Sequence, residues 1–485
     1  MLKNAKNLLV VVLFLSTTVC LAAKIPKQIG DWYVTVGPAS NTVYQPPQTI
    51  PENTPPSNAV LGIPAIFVPH LKVTDWKIDD GEYEIECEEG DDQYKFTIRP
   101  DGTLIELQYE NDRTHIKEEA DELVYEGTKK TVEVEAVPSK ALLALSKAYP
   151  GKKPEKAWTA QTVAGPRYVI LVAGMAFYTR SDGQIQAARE ISDGGLDEIS
   201  LADRPSSDDR QFRAEMERLL GPYRGRFNMQ NQIKRLGSTP KNPNGSYRYV
   251  VMGDSRSQWD LWSNIVKHIN SLDPKPAFVI NSGDLVPDGF ATQFCNYYIP
   301  PLLETDIPFF VAIGNHDEGY EDKVLEYRYL FGNNSLNYFF DYGRSRYIFI
   351  DNATEAMSYK HTLEWLGRTL TDTPEEYRKY VASHRPPSTI KKWAYHAWES
   401  EESKIFTDLM TKYKVSEVYF GHIHAYSTAE FGGVRYTVSG GGGAGLHDRF
   451  GALGNVHHYI ICDVQPNGDV KQQVVRFYRK GEEED

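Results

Sequence analysis

Cysteine is scarce, with four in 485 residues, and one of them, Cys20, falls in the apolar amino-terminal segment. The remaining Cys87, Cys295 and Cys462 are an odd, scattered set, which excludes a disulfide framework and leaves room for one bridge at most. Cys462 lies in the apolar run YIICDV and is expected in the core. Basic blocks are also missing. At a formal net charge of -13 the chain offers no electrostatic grip for nucleic acid. Any phosphate it binds has to find local positive charge, from a metal or a placed arginine. Long apolar runs are missing too: the run from Leu8 to Leu15 is shorter than the ~20 residues needed to span a bilayer.

What that run does fit is a leader. Lys3 and Lys6 precede it and Ala22-Ala23 close it, the layout of a secretory signal peptide over 1–23 with cleavage near Ala23. Val19 before Cys20 is a poor match to a lipoprotein box. A secreted or periplasmic protein is therefore expected, with no membrane span after removal of the leader. The rest, 41% hydrophobic and 25% charged with 30 tyrosines and 8 tryptophans, is ordinary for a soluble globular chain. Its length calls for two domains plus linkers.

Residues 24–70 are rich in proline and polar residues (VYQPPQTIPENTPPSN) and read as a linker or extended arm. From 71 to 190 the pattern is α+β. YEIECEEGDDQYKFTIRPDGTLIELQYE gives three strands, a helix follows over Ser139–Ala148, and RYVILVA and MAFYTRSDGQIQAA give more strands. KFTIRPDGTLIEL and AFYTRSDGQIQAA share a hairpin pattern with Asp-Gly turns at Asp101-Gly102 and Asp182-Gly183. On VPSKALLALSKAYPGKKPEKA and the strands after it, this region weakly resembles small periplasmic PepSY-like modules. The resemblance implies a binding or inhibitory role and a protein partner. Residues 191–245 read as a linker holding one charged helix, about Asp208 to Leu220.

Beyond 246 the chain alternates strand and helix. RYVVMGD, AFVINSGD, FFVAIGNHD, KYVASHRPP and EVYFGHIHA are each a buried-type strand that stops at ligand-type residues: Asp254, Asp284, Asn315, His384, and His422 with His424. One Gly-Asp turn or one strand-end histidine would be unremarkable. Five such endings in one α/β region point to a site at the strand ends.

The series GDSRS, NSGDLV, GNHD, SHRPP and GHIHAY resembles the calcineurin-like metallophosphoesterase superfamily over 246–480. The resemblance implies a four-layer α/β/β/α sandwich, here preceded by the smaller α+β domain, and two transition-metal ions (Mn, Fe or Zn) roughly 3.5 Å apart. Carried over, Asp284 would bridge both ions, Asp254 and His424 would hold one, and Asn315, His384 and His422 the other. Gly421 would permit the backbone turn that lets both histidines of GHIH reach the ions. The implied reaction is hydrolysis of phosphate mono- or diesters by attack of a metal-bridging hydroxide, with His316 as general acid and Asp288 a possible orienting carboxylate for it.

Two positions depart from the family. Where many relatives ligate with histidine, this chain has Arg256, which stays protonated and cannot ligate. It would either clamp a substrate phosphate or pair with a nearby carboxylate. Gly283-Asp284 continues as Leu285-Val286-Pro287, so the tyrosinate-ligated purple variant is not expected. The glycine run Ser439–Leu446 would bring backbone close to the site or form a loop; Arg385, His396 and His447 could face substrate, with nothing in the sequence to single them out. The alternative reading is a binding or scaffold protein on a phosphatase fold, with the amino-terminal region as interaction or inhibitor module.

Overall fold

The computed structural model describes residues 28–479 apart from 31, 40–41, 43–53, 80–81, 91, 112–115, 119–123, 126–128, 163–164, 191–197, 200–208, 239–241, 243, 320–323, 355, 399 and 448. The expected leader lies outside the described residues. Among them no helix is long and apolar enough to cross a membrane. Cys87, Cys295 and Cys462 are free thiols, and Cys462 is buried.

In the carboxy-terminal half, strands Tyr247–Met252, Phe278–Asn281 and Phe309–Val311 lie parallel, and His457–Val464 pairs antiparallel with the first. They are buried nearly throughout, which is why they read as apolar runs and not as alternating patterns. A second sheet has the order Tyr338–Tyr342, Ser345–Phe349, Arg378–Ala382, Glu417–Phe420, Val434–Ser439, Tyr426–Phe431. Aromatic rings fill the space between the sheets. Phe310 stacks on Phe340 at 4.0 Å and Tyr347 on Tyr380 at 4.9 Å, with Tyr249 edge-on to Tyr347. Each such buried ring stabilises by ~2 kcal/mol from its area alone.

Helix Trp259–Asn270 seals the outer face of the first sheet with Leu261, Trp262, Ile265 and Ile269. Tyr359–Thr371 and Ser400–Lys412 seal the second, packing Leu366, Phe406 and Met410 against Val381 and Val418. The layers are α/β/β/α, as expected.

Two segments read as linkers carry structure that the sequence pattern hid. Within 24–70, Trp32–Pro38 is a strand that extends the first sheet, pairing antiparallel with Val470–Arg479 from Trp32↔Arg479 to Pro38↔Gln473. Trp32 is 2% exposed; its Nε1 donates to Asp260 and its ring meets His457 edge-on at 5.7 Å. Helix Asn58–Phe67 follows, capped by the Ser57 hydroxyl. The many prolines masked both elements in the sequence. Within 191–245 there are two helices, Asp209–Phe227 and Met229–Gly237, not one in a linker. They bury Leu220, Phe227, Met229 and Leu236 in the core of the first sheet, and Arg226 donates to the carbonyls of Leu302 and Thr305. Their charged surfaces concealed a narrow apolar stripe.

The amino-terminal half forms its own sheet, built from two similar units. Helix Asn58–Phe67 precedes strands Lys72–Asp79, Glu82–Glu89, Asp92–Ile98 and Leu104–Asn111. Helix Ser139–Ala148 precedes Lys156–Thr162, Gly165–Val172, Met175–Thr179 and Ile185–Glu190. The units join through Ala188↔Leu107 and Arg189↔Glu106. Their Asp-Gly hairpins close identically: Arg99 N bonds Thr103 O and Arg180 N bonds Gln184 O, while Asp101 and Asp182 each accept from the amide two residues on.

Candidate metal centre

The ligand-type residues sit just past strand ends: Asp254 and Asp284 after Tyr247–Met252 and Phe278–Asn281, Asn315 after Phe309–Val311, His384 after Arg378–Ala382, His422 and His424 after Glu417–Phe420. Parallel neighbours end on one edge, so six residues spread over 171 positions of sequence are brought to one place.

Nε2 of His384 is the hub. It lies 3.2 Å from Asp284 Oδ1, 3.1 Å from Asn315 Oδ1 and 3.2 Å from His422 Nδ1. His384 Nδ1 is 2.9 Å from the Ser282 carbonyl, and His424 Nδ1 is 2.6 Å from that of Gly445. A carbonyl only accepts, so both Nδ1 atoms carry a hydrogen, and each Nε2, once unprotonated, offers its lone pair to the site. His424 Nε2 is 3.5 Å from Asp254 Oδ1. Ligand atoms of Asp254, Asp284 and His384 all lie within 4.8 Å of one another. Lone-pair atoms converging with so few hydrogens between them fit a cation. Three imidazoles, two carboxylates and one amide oxygen fit a transition metal better than calcium or magnesium.

The backbone is bent to make this cage. Asp254, Asp284 and His422 have φ of 56, 54 and 67°, a conformation costing non-glycine residues ~1–3 kcal/mol each. Hydrogen bonds hold it: His422 N donates to the Asp254 carboxylate at 3.0 Å, His316 N to Asp284 Oδ1 at 3.0 Å. The turn in GHIH is thus made by His422 and not by Gly421, as the sequence suggested. Gly421 is needed for closeness, because a Cβ there would overlap Asp254 Oδ2. The glycine run makes the close approach considered for it, with Gly442 N on Gly253 O at 2.9 Å and Ala444 N on Asp254 O at 3.0 Å.

Electrostatics agree with a cation receptor. Burial pushes the Asp254 carboxyl up to about 7; His384 pulls the other way and the like charge of Asp284 adds to the rise. Burial would also raise Asp284, but His384, then His316 and Arg256, hold it well below the usual range. His384 is lowered by burial yet lifted to about 9 by Asp284. Two buried carboxylates with one shared imidazole leave negative charge that positive ions would neutralise.

The other predicted residues are placed as follows. His316 Nδ1 meets the Pro287 carbonyl at 2.7 Å, so a backbone oxygen orients this ring. The Asp288 carboxylate, the other candidate for orienting it, accepts from Gln293 Nε2 at 2.8 Å. Arg256, the departure from the family pattern, has Nε 3.6 Å from Asp284 Oδ2, close enough for the carboxylate pairing considered for it.

Asp317 and Asn352 escaped the sequence reading, and His396 was named there only as a residue that could face substrate. Asp317, the last residue of GNHD, is fully buried and accepts from the amides of Leu285, Val286 and Gly314. It ties the Asp284 turn to the Asn315 turn. Asn352 accepts from the amides of both His384 and Arg385 at 3.0 Å. His396 stacks face to face on His422, with 3.9 Å between ring centroids. The acidic ending of GNHD was the one hint of Asp317, and nothing local pointed to Asn352.

Residues 247–426 match the family model described as calcineurin-like phosphoesterase. A curated relative, "Probable glycerophosphodiester phosphodiesterase GpdQ" of Arcobacter nitrofigilis, is 30% identical over 176 residues, which is 34% of this chain and 63% of the relative. The chain thus spans less than two thirds of that relative's length. Among solved structures, a purple acid phosphatase from yellow lupin aligns over 93% of this chain and 91% of its own, at 14% identity and a TM-score of 0.37. GAP50 of Plasmodium, titled the anchor in the inner membrane complex, aligns over 49% of this chain and 86% of its own, at 16% identity and a TM-score of 0.37.

Proposed function

We propose that the carboxy-terminal sandwich hydrolyses phosphate mono- or diesters with two transition-metal ions. Asp254, Asp284 and His424 would hold one ion; Asn315, His384, His422 and the shared Asp284 the other. The observation that carries this reading is the convergence of Asn315 Oδ1, Asp284 Oδ1 and His422 Nδ1 on His384 Nε2 within 3.1–3.2 Å. When bound, such ions supply Lewis acidity and an acidified water for in-line attack on phosphorus.

The chain's own residues do the rest. His316 has Nδ1–H committed to the Pro287 carbonyl, so its imidazolium form would carry a second hydrogen on Nε2, the one passed to the departing ester oxygen as the ring becomes neutral. Asp317 and Asn352 keep the ligand turns in register through five amide hydrogen bonds. The match of residues 247–426 to phosphoesterases supports the reaction class, and the glycerophosphodiester phosphodiesterase relative favours including a diester among the substrates tested. The leader pattern at 1–23 supports action outside the cytoplasm.

The test is turnover of p-nitrophenyl phosphate and bis-p-nitrophenyl phosphate by protein loaded with manganese, iron or zinc. Activity with at least one metal, abolished by Asp284→Asn, is expected. Wild type inactive with all three metals, or Asp284→Asn as active as wild type, sinks the reading. The ratio of the two rates sorts monoesterase from diesterase.

A further inference from the structure

Arg385 follows ligand His384 directly, and its backbone is clamped. Asn352 Oδ1 accepts from the amides of His384 and Arg385, and Asn352 Nδ2 donates to the Arg385 carbonyl at 2.7 Å. The root of the side chain is therefore as fixed as the ligand beside it. Its guanidinium makes no hydrogen bond or ion pair among the described residues, although Nε is buried. Several other arginines of this half have carboxylates, Arg248 with Asp463, Arg346 with Asp341, Arg435 with Glu417 and Arg256 with Asp284, and the buried Arg476 donates to the Leu453 carbonyl. Arg385 is also close to the cage. Behind burial and neighbouring imidazoles, its charge is among the causes that keep His422 and His396 neutral.

A guanidinium whose Nε is buried without an acceptor is costly to keep so unless an acceptor arrives. We infer that Arg385 receives the non-bridging oxygens of the substrate phosphoryl group, offering the fork of donors that Arg256, drawn to Asp284, does not present freely. The inference rests on the phosphoesterase reading and adds to it the residue that reads the phosphate. The ligand class is a tetrahedral oxyanion with at least two free oxygens. Phosphate monoesters and inorganic phosphate present three such oxygens and diesters two.

Inorganic phosphate is the probe. Metal-loaded wild type, Arg385→Gln and Arg385→Lys are compared by calorimetric titration with phosphate, by metal content and by thermal melting. Loss of a charged hydrogen bond predicts about tenfold or greater weakening of phosphate binding in Arg385→Gln. Arg385→Lys should recover part of it, with metal content unchanged in both. Phosphate affinity equal to wild type in Arg385→Gln overturns the assignment, and so does metal loss that parallels the loss of phosphate. Calorimetry needs no turnover. A wild type that binds phosphate through Arg385 yet hydrolyses neither ester would remove the esterase reading and leave this assignment standing.

Discussion

The rings of His396 and His422 lie parallel within 4°, 3.9 Å apart. Nδ1 of His422 faces the cage, and His396 covers the flat face of the same ring, so its packing fixes the orientation of a proposed ligand. Supporting contacts of this kind are typically worth 10–100-fold in metal affinity. His396→Ala should weaken the more labile ion by about that factor, whereas His396→Phe, which keeps a stacking plane, should lose less. Titration of metal-free protein followed by elemental analysis measures both. Equal affinity in His396→Ala and wild type would show that the stack is incidental.

Asp317 supplies the acceptor for three buried amides, and an orphaned buried amide costs ~1–3 kcal/mol. Asp317→Ala should therefore lose about 3 kcal/mol or more of stability in urea unfolding. Asp317→Asn should lose less, since its Oδ1 still accepts on one side. The same loss in both variants would mean that the negative charge, and not the hydrogen bonds, is what the turn needs.

The strand Trp32–Pro38 belongs to the sheet whose strands lead into Asp254 and Asp284, so residues 246–485 are not a complete unit. That fragment leaves the edge Val470–Arg479 unpaired and removes a fully buried tryptophan that Asp260 and His457 contact. It should be insoluble or melt well below the longer chain. Trp32→Ala in the full chain should cost ~3–5 kcal/mol, read by chemical denaturation. A fragment from 246 that is monomeric, stable and active would contradict this.

The two Asp-Gly hairpins offer a matched pair. Gly102 and Gly183 have φ of 89 and 82°, so alanine strains both alike. Their surroundings differ. A Cβ at Gly102 comes no nearer than 3.7 Å to Ala59, while one at Gly183 would meet Lys140 and Pro138 at 2.9 Å. Gly102→Ala should cost ~1 kcal/mol and Gly183→Ala clearly more, both measured by thermal melting. Equal costs would show that helix Ser139–Ala148 shifts freely to make room.

Chelation should separate fold from activity. The aromatic core between the sheets and the helices outside them do not involve the cage. Protein stripped of metal should keep its far-ultraviolet dichroism and lose turnover, which manganese, iron or zinc restores. Unfolding on chelation would make the ions structural.

The α/β alternation and the six ligand types were legible in the sequence because both are local. A buried parallel strand must be an apolar run, and a residue that ends it is next to it in the chain. Asp254, Asp284, Asn315, His384, His422 and His424 could thus be named without coordinates. The tertiary structure alone decided what depends on chain-distant partners. Trp32 finds its sheet edge at Arg479, His396 finds the face of His422, and Asp317 finds three amides from two other turns. It also distributed the arginines. Nothing in GDSRS or SHRPP says that Arg256 leans on Asp284 while Arg385 has no carboxylate among the described residues. Pairing depends on distances through space, which a linear pattern does not encode.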